Sequence, residues 1–399
     1  MKQFVKFQVF MITVLLAVSC SEIEVNNSVK DLDYYMKFYG NYYNDKLNDI
    51  KVNQNDELVL AGHRKLTDNS ERAWIIKTGA NGMVEWNKTY TGANNIRGYG
   101  LHQSDTEIYF AGYQLNETQT TQKGFLYVYN VNGELKDSVS FNVLADNIKD
   151  IKFLTNKTNL RFIVHASLNG SDYAYIFETN SNNIVSQLSA NNLSTTIEGS
   201  LYIFEQANGD IFLSGSVKQT DNKVYTDIII SKFADDNILW SRIYGDTDKI
   251  EKSSGIEFIN NNLYVSATSW LTPESNDKQV YLMKIDPESF EKQDIPVSLS
   301  GNYLSYDMIV NNDDEFVVVG DKKIDANTTK IFMIRISMEG ELLQEYIYGF
   351  EGVCHGRHVL NLTGSNKGFV IGGNMSTATD AEAQDVIVIK TDEYGEWIY

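Results

Sequence analysis

DELVLAGHRKLTDNSERAWIIKTGANGMVEWNKTY, Asp56 to Tyr90, is the stretch on which the fold turns. An apolar strand ends in a small residue, Gly62, and a polar loop of about ten residues follows. A second apolar strand then ends in Lys77, a GANG turn reverses the chain, and a third strand carries Trp86. The same order returns from Asp210 to Tyr244 and from Gly368 to Tyr399, with Trp240 and Trp397 in the place of Trp86. The small residue recurs at Gly62, Gly112, Ala166, Gly215, Ala267, Gly320 and Gly373, at intervals of 49 to 54 residues. One more short strand precedes each copy, as in LNDIKV (Leu47 to Val52), GYGLHQ (Gly98 to Gln103) and SYDMIV (Ser305 to Val310). The unit is four strands, a to d, and units of this length are those of propeller blades, whereas solenoid coils are shorter. The expectation is all-β: a seven-bladed β-propeller of four-stranded antiparallel blades over residues 34–399.

Strand chemistry agrees with that expectation. WIIK, IIISK, YLMK, FMIR and VIVIK are unbroken β-branched and aromatic runs, as expected of strands covered on both faces. GANG, NVNG and DEYG supply turn residues that tolerate positive φ. GEWIY, Gly395 to Tyr399, reads as a final d strand. YYMKFYG, Tyr34 to Gly40, reads as a strand that joins the last blade and removes its open edge.

The N-terminus carries a different signal. Lys2 and Lys6 precede an uncharged run, Val9 to Val18, too short to span a bilayer as a helix. Ala17 and Ser19 flank the approach to Cys20 in the manner of a bacterial lipobox, though Ala17 stands where that motif usually has Leu. Residues 1–19 are expected to be a signal peptide and 20–33 a lipidated cysteine, Cys20, with its tether. The chain would then hold to the outer membrane by lipid. Only one other cysteine exists, Cys354, so no disulfide scaffold is expected and its thiol should be buried. With 34 basic and 53 acidic residues the net charge is −19, which disfavours nucleic acid as a partner.

Binding residues in such a ring are expected where the long b–c loops and the d–a crossovers gather. The candidates are Tyr42, Tyr43, Tyr303 and Tyr306 in crossovers, Trp270 in the b–c loop of blade five, and Arg64, Arg97, His355 and Arg357 beside them. Aromatic faces with polar edges suit a glycan or a peptide. GVCHGRH, Gly352 to His358, brings Cys354, His355 and His358 together, yet its spacing fits no closed zinc site, so no metal is expected. No nucleophile elbow, metalloprotease helix, phosphate loop or dinucleotide glycine set is present, so neither a catalytic set nor a cofactor is assigned. Carboxylates meeting at the channel mouth would still permit glycoside chemistry, with Asp49 and Asp307 the first to inspect.

The blades resemble those of secreted and surface β-propeller lipoproteins of the Bacteroidota, over roughly residues 34 to 399. That resemblance implies a lipid-anchored protein at the cell surface, and Ser21-Glu22-Ile23-Glu24 loosely resembles the acidic export signal of that group. The fold does not dictate activity. The expected role is a non-enzymatic binding or scaffold protein, accessory to an outer-membrane nutrient-uptake complex. The alternatives are a carbohydrate-active enzyme, either a glycoside hydrolase or a lyase, and an outer-membrane assembly factor facing the periplasm, whose known propellers are usually eight-bladed.

Overall fold

The computed structural model describes residues 34–40, 44–90, 95–114, 121–154, 159–180, 182–219, 224–362, 364, 367–377 and 380–397. Cys20, Tyr42, Tyr43 and the signal-peptide stretch lie outside them.

Each copy of the repeat becomes four antiparallel strands. In the first these are Asn44–Val52, Leu58–Lys65, Glu71–Thr78 and Val84–Thr89, paired in that order. The a strands of the six that follow are Ile96–Gln103, Asn147–Leu154, Ile197–Glu205, Ile250–Ile259, Asn302–Val310 and Val353–Asn361. Seven strand groups result. The burial of the strands follows the sequence pattern: b and c strands are buried along nearly their whole length, and d strands such as Val84–Thr89 are exposed. A single parallel rung, Thr226 to Ile250, joins blade four to blade five, and Thr329 to Val353 does the same for blades six and seven.

The seventh blade completes itself with the N-terminal strand. Tyr35–Tyr39 pairs antiparallel with Asp380–Thr391, from Tyr35 opposite Lys390 to Tyr39 opposite Val386. The described part of GEWIY, up to Trp397, is not a strand, which corrects the sequence expectation. The edge it would have used is already taken by the N-terminal strand, and Trp397 instead packs against a cluster around Tyr348 and Cys354. Leu47, Ile50, Leu58 and Trp74 of blade one share a core with Val370, Val386 and Val388 of blade seven, so the first and last strand groups pack against each other.

Turns fasten each blade to its neighbour. Tyr39 Oη donates to the Gly82 carbonyl at 2.7 Å, Trp86 Nε1 to Val131 at 3.1 Å, and Tyr348 Oη to Gly395 at 2.6 Å. Gly82 has φ +73°, and a Cβ there would come within 2.5 Å of the Tyr35 ring, so the GANG turn needs glycine twice over. The repeating small residue has its own reason. A Cβ at Gly62 would stand 1.8 Å from the Lys46 carbonyl of the a strand, which the b strand meets there at a bulge.

That bulge occurs in every blade. The a-strand register shifts at Leu47/Asp49, Gly98/Gly100, Ile148/Asp150, Glu198/Tyr202, Ser253/Gly255, Ser305/Asp307 and Gly356/His358. Bulges bend a strand and re-aim its side chains. Seven of them at one level bring the residues at and just after the bulge to a common cavity.

Candidate functional site in the central cavity

The cavity has a volume of about 680 Å³ and takes lining residues from the a strands of all seven blades. In three blades the residue after the bulge is aspartate: Asp49, Asp150 and Asp307. Asp49 Oδ1 accepts the amide of Ile50 at 2.9 Å, and its Oδ2 accepts the amide of Leu101, in the next blade, at 2.8 Å. Asp307 does the same with Met308 at 3.0 Å and Val359 at 2.9 Å. These carboxylates are clamps between adjacent blades. Asp150 Oδ1 takes the Ile151 amide at 2.8 Å, but its buried Oδ2 receives no hydrogen bond. Blade four shifts register over the longer span Glu198 to Tyr202, so no amide arrives there.

Two residues further along, the side chains again reach the cavity. Lys51 Nζ lies 2.9 Å from Asp49 Oδ1, and Lys152 Nζ lies 3.7 Å from Asp150 Oδ2. Burial disfavours the charged form of Asp49, but the charges of Lys51 and Lys152 outweigh it and hold that carboxyl below its ordinary range. Burial of Lys152 is likewise overcome by Asp150, Asp49 and Asp307, which keep its ammonium charged. Burial lowers His358 to about 3, with Lys152 adding to the effect, so its imidazole is neutral. His358 Nδ1 stands 4.0 Å from Asp307 Oδ2.

Glu257 is the exception among the acids. It occupies, in blade five, the place of Lys51 and Lys152, and no hydrogen bond or ion pair reaches it among the described residues. Burial, with Asp307 adding its charge, pushes its carboxyl up to about 8. Asp307 is pushed up to about 7 by burial, opposed by the Val359 amide and Lys152. Its side chain keeps 22 % exposure, all of it in a setting ringed by protein. Near neutral pH Glu257 is therefore a protonated carboxyl, a hydrogen-bond donor as well as an acceptor.

The other wall is aromatic and cationic. Arg357 lies over the ring of Tyr306, its guanidinium carbon 3.7 Å from the centroid, and both line the cavity. His355 also lines it, its Nδ1 2.6 Å from Asp321 Oδ2. Tyr306, His355 and Arg357 are thus brought together, as are Asp49 and Asp307. The remaining candidates fall elsewhere. Tyr303 lies inside the a strand of blade six, fully buried, and its hydroxyl donates to Glu345 at 2.5 Å. Its place in the alternation turns it into the core, which corrects the expectation of a crossover residue. Trp270 is the last residue of a b strand, opposite Ile250, rather than a loop residue, and only 8 % exposed. Arg64 pairs with buried Asp45 at 2.8 Å and Arg97 with Glu71 at 2.9 Å, both as links within or between blades one and two and away from the cavity. Cys354 is buried among apolar side chains, turned away from its histidine neighbours, and among the described residues no group of three potential ligands is placed to hold a metal.

No family model matches the chain, and no curated protein matches it. Solved structures do. A protein of unknown function from Dyadobacter fermentans is 9 % identical, with 90 % of this chain and 97 % of that one covered at a TM-score of 0.51. The polysaccharide lyase Uly1 is also 9 % identical, with 89 % and 91 % covered, again at 0.51. At such identity the likeness is one of fold alone: all-β, built from four-stranded antiparallel blades.

Asp150, Lys152 and Glu257 escaped the sequence reading. A signal existed for the first two: DIK occurs at Asp49 to Lys51 and at Asp150 to Lys152, each in an a strand. Nothing local marks Glu257, because its isolation depends on which residues the other six blades place opposite it.

Proposed function

We propose that the seven blades close as a seven-bladed β-propeller whose central cavity binds a carbohydrate. The observation that carries this reading is the wall formed by Arg357 over the Tyr306 ring, in one cavity with the Glu257 carboxyl, which has no partner among the described residues. A guanidinium–aromatic stack offers a planar face with donors at its edge, and a protonated carboxyl can both give and receive hydrogen bonds to hydroxyls. The volume lies within the range of small-ligand sites, about 300–1,000 Å³. In this reading the chain is a lipoprotein anchored through Cys20 in the outer membrane, faces the cell surface, and passes glycan to an uptake complex.

Titration calorimetry against a panel of neutral and acidic oligosaccharides tests it. Binding should weaken by about 10-fold or more in Tyr306→Ala and in Arg357→Ala, as expected for loss of about 1.4 kcal/mol or more. Absence of binding across the panel would overturn it. Surface proteolysis of intact cells, with Cys20→Ser as control, tests the location.

A second reading is glycoside hydrolysis with Glu257 as general acid, favoured by a carboxyl held protonated near neutral pH. Against it, each oxygen of Asp49 and of Asp307 already accepts a backbone amide, so both carboxylates serve first to hold neighbouring blades together. Reducing-sugar release that disappears in Glu257→Gln would establish it.

A further inference from the structure

Blade five carries a second feature beside the cavity, which it meets through Lys252. Lys252, which lines the cavity, has its Nζ 5.9 Å from the centroid of the Trp270 indole, and Lys278 Nζ is 4.9 Å from that centroid. Lys323, from the b strand of blade six, reaches toward the same loop with its Nζ 3.5 Å from Asn276 Oδ1. None of these three ammonium groups has an ion pair among the described residues, although the chain as a whole bears a net charge of −19. The carboxylate electrically nearest to Lys278 is Asp321, and it is committed to His355 at 2.6 Å and to the Gly356 amide at 3.2 Å. Asp277 lies next in the chain, and its Oδ1 accepts from Gln279.

The charges of Lys252 and Lys323 both act against that of Lys278, with Asp321 opposing them. Lys278 shows the effect: burial, then the charges of Lys252 and Lys323, hold its ammonium below the usual lysine range. Their positions are held by the fold. Trp270 is a buried platform at the end of a strand, and the Lys278 carbonyl accepts the Tyr303 amide of blade six at 2.9 Å. Like-charged groups fixed around an aromatic face gain free energy when an anion arrives to share them.

We infer that Lys252, Lys278 and Lys323, over the indole of Trp270, receive an anionic substituent of the bound sugar, a carboxylate or a sulfate. The inference rests on the carbohydrate reading above and narrows it: the ligand is an acidic glycan, whose ring lies in the cavity while its charge sits at the blade-five side.

Calorimetry on the full chain with three probes tests this: tri-galacturonate, a sulfated galactose trisaccharide, and neutral galactotriose. Either anionic probe should bind about 10-fold or more tightly than galactotriose, and raised salt should erode the advantage. The double variant Lys252→Gln/Lys278→Gln should abolish that difference while galactotriose binds as before. Trp270→Phe, which keeps an aromatic platform, should retain most of the preference. Comparison of the two anionic probes tells carboxylate from sulfate. If charged and neutral probes bind alike, or the double variant weakens both equally, the lysine site is wrong and the carbohydrate reading survives. If none of the three binds, both fall.

Discussion

In blade six the residue after the bulge is Asp307, whose two oxygens receive the amides of Met308 and Val359. In blade five it is Gly255, where a Cβ would come 2.6 Å from that of Met308, so no carboxylate fits. Hydroxyls replace the clamp there. Ser253 donates its amide to Ser216 Oγ at 3.0 Å, Ser254 Oγ donates to Ser305 Oγ at 2.6 Å, and the Ser305 amide donates to Thr268 Oγ1 at 2.9 Å. Blade five thus stays joined to its neighbours without a charge. The groups it does carry at the cavity, Glu257 and Lys252, remain unpaired. One side of the channel spends its charges on holding the ring together, and the other presents them to the cavity.

The largest effect should come from removing a clamp. Asp49→Ala strips the acceptor from two buried amides, those of Ile50 and Leu101, and leaves Lys51 without its partner. A loss on the order of 3 kcal/mol in denaturant unfolding is expected. A change within about 0.5 kcal/mol, the range of ordinary surface substitutions, would show that the amides find other partners.

Glu257 should behave in the opposite sense. Its carboxyl is raised from the ordinary value of 4.5 to about 8 in the folded protein, by burial and then by Asp307. The unfolded chain gives up that proton first as pH rises, so this group's contribution is fully present below 4.5 and is lost as pH climbs through about 8. Glu257→Gln should flatten that part of the stability profile and gain about 1–2 kcal/mol at the alkaline end, after allowance for solvent screening in the open cavity. Thermal melts across this window give the slope directly, and an unchanged slope would place the group in contact with a cation.

The smallest effect belongs to the hydroxyl bridge. Ser254→Ala removes one neutral link between blades five and six, and about 1 kcal/mol of destabilisation is expected in the same unfolding assay. A loss as large as that of Asp49→Ala would erase the contrast between the two sides.

The repeat made the four-stranded unit and the number of copies legible, because small residues and tryptophans recur at fixed places within each strand group. Tyr306, His355, Arg357, Asp49 and Asp307 could be named because they lie in or beside the a strands, which line the cavity. Tyr303 and Trp270 were misplaced by a few residues, and in a strand one residue exchanges the buried face for the open one. Glu257 was invisible because lacking a partner among the described residues is a property of the folded chain, not of the segment GIEFI. The lysines around Trp270 come from strand a of blade five, the residue just before its strand c, and strand b of blade six, which meet only in the folded chain.

Thermal unfolding of Asp49→Asn and Glu257→Leu at pH 8, with and without tri-galacturonate, tests the division of the cavity most directly. Asp49→Asn should melt below the parent protein and keep its ligand-induced rise in Tm. Glu257→Leu, which has neither donor nor acceptor, should melt at or above the parent and lose most of that rise. If both variants lose stability and ligand response together, or if the two responses are exchanged, the channel is not divided between clamping and binding.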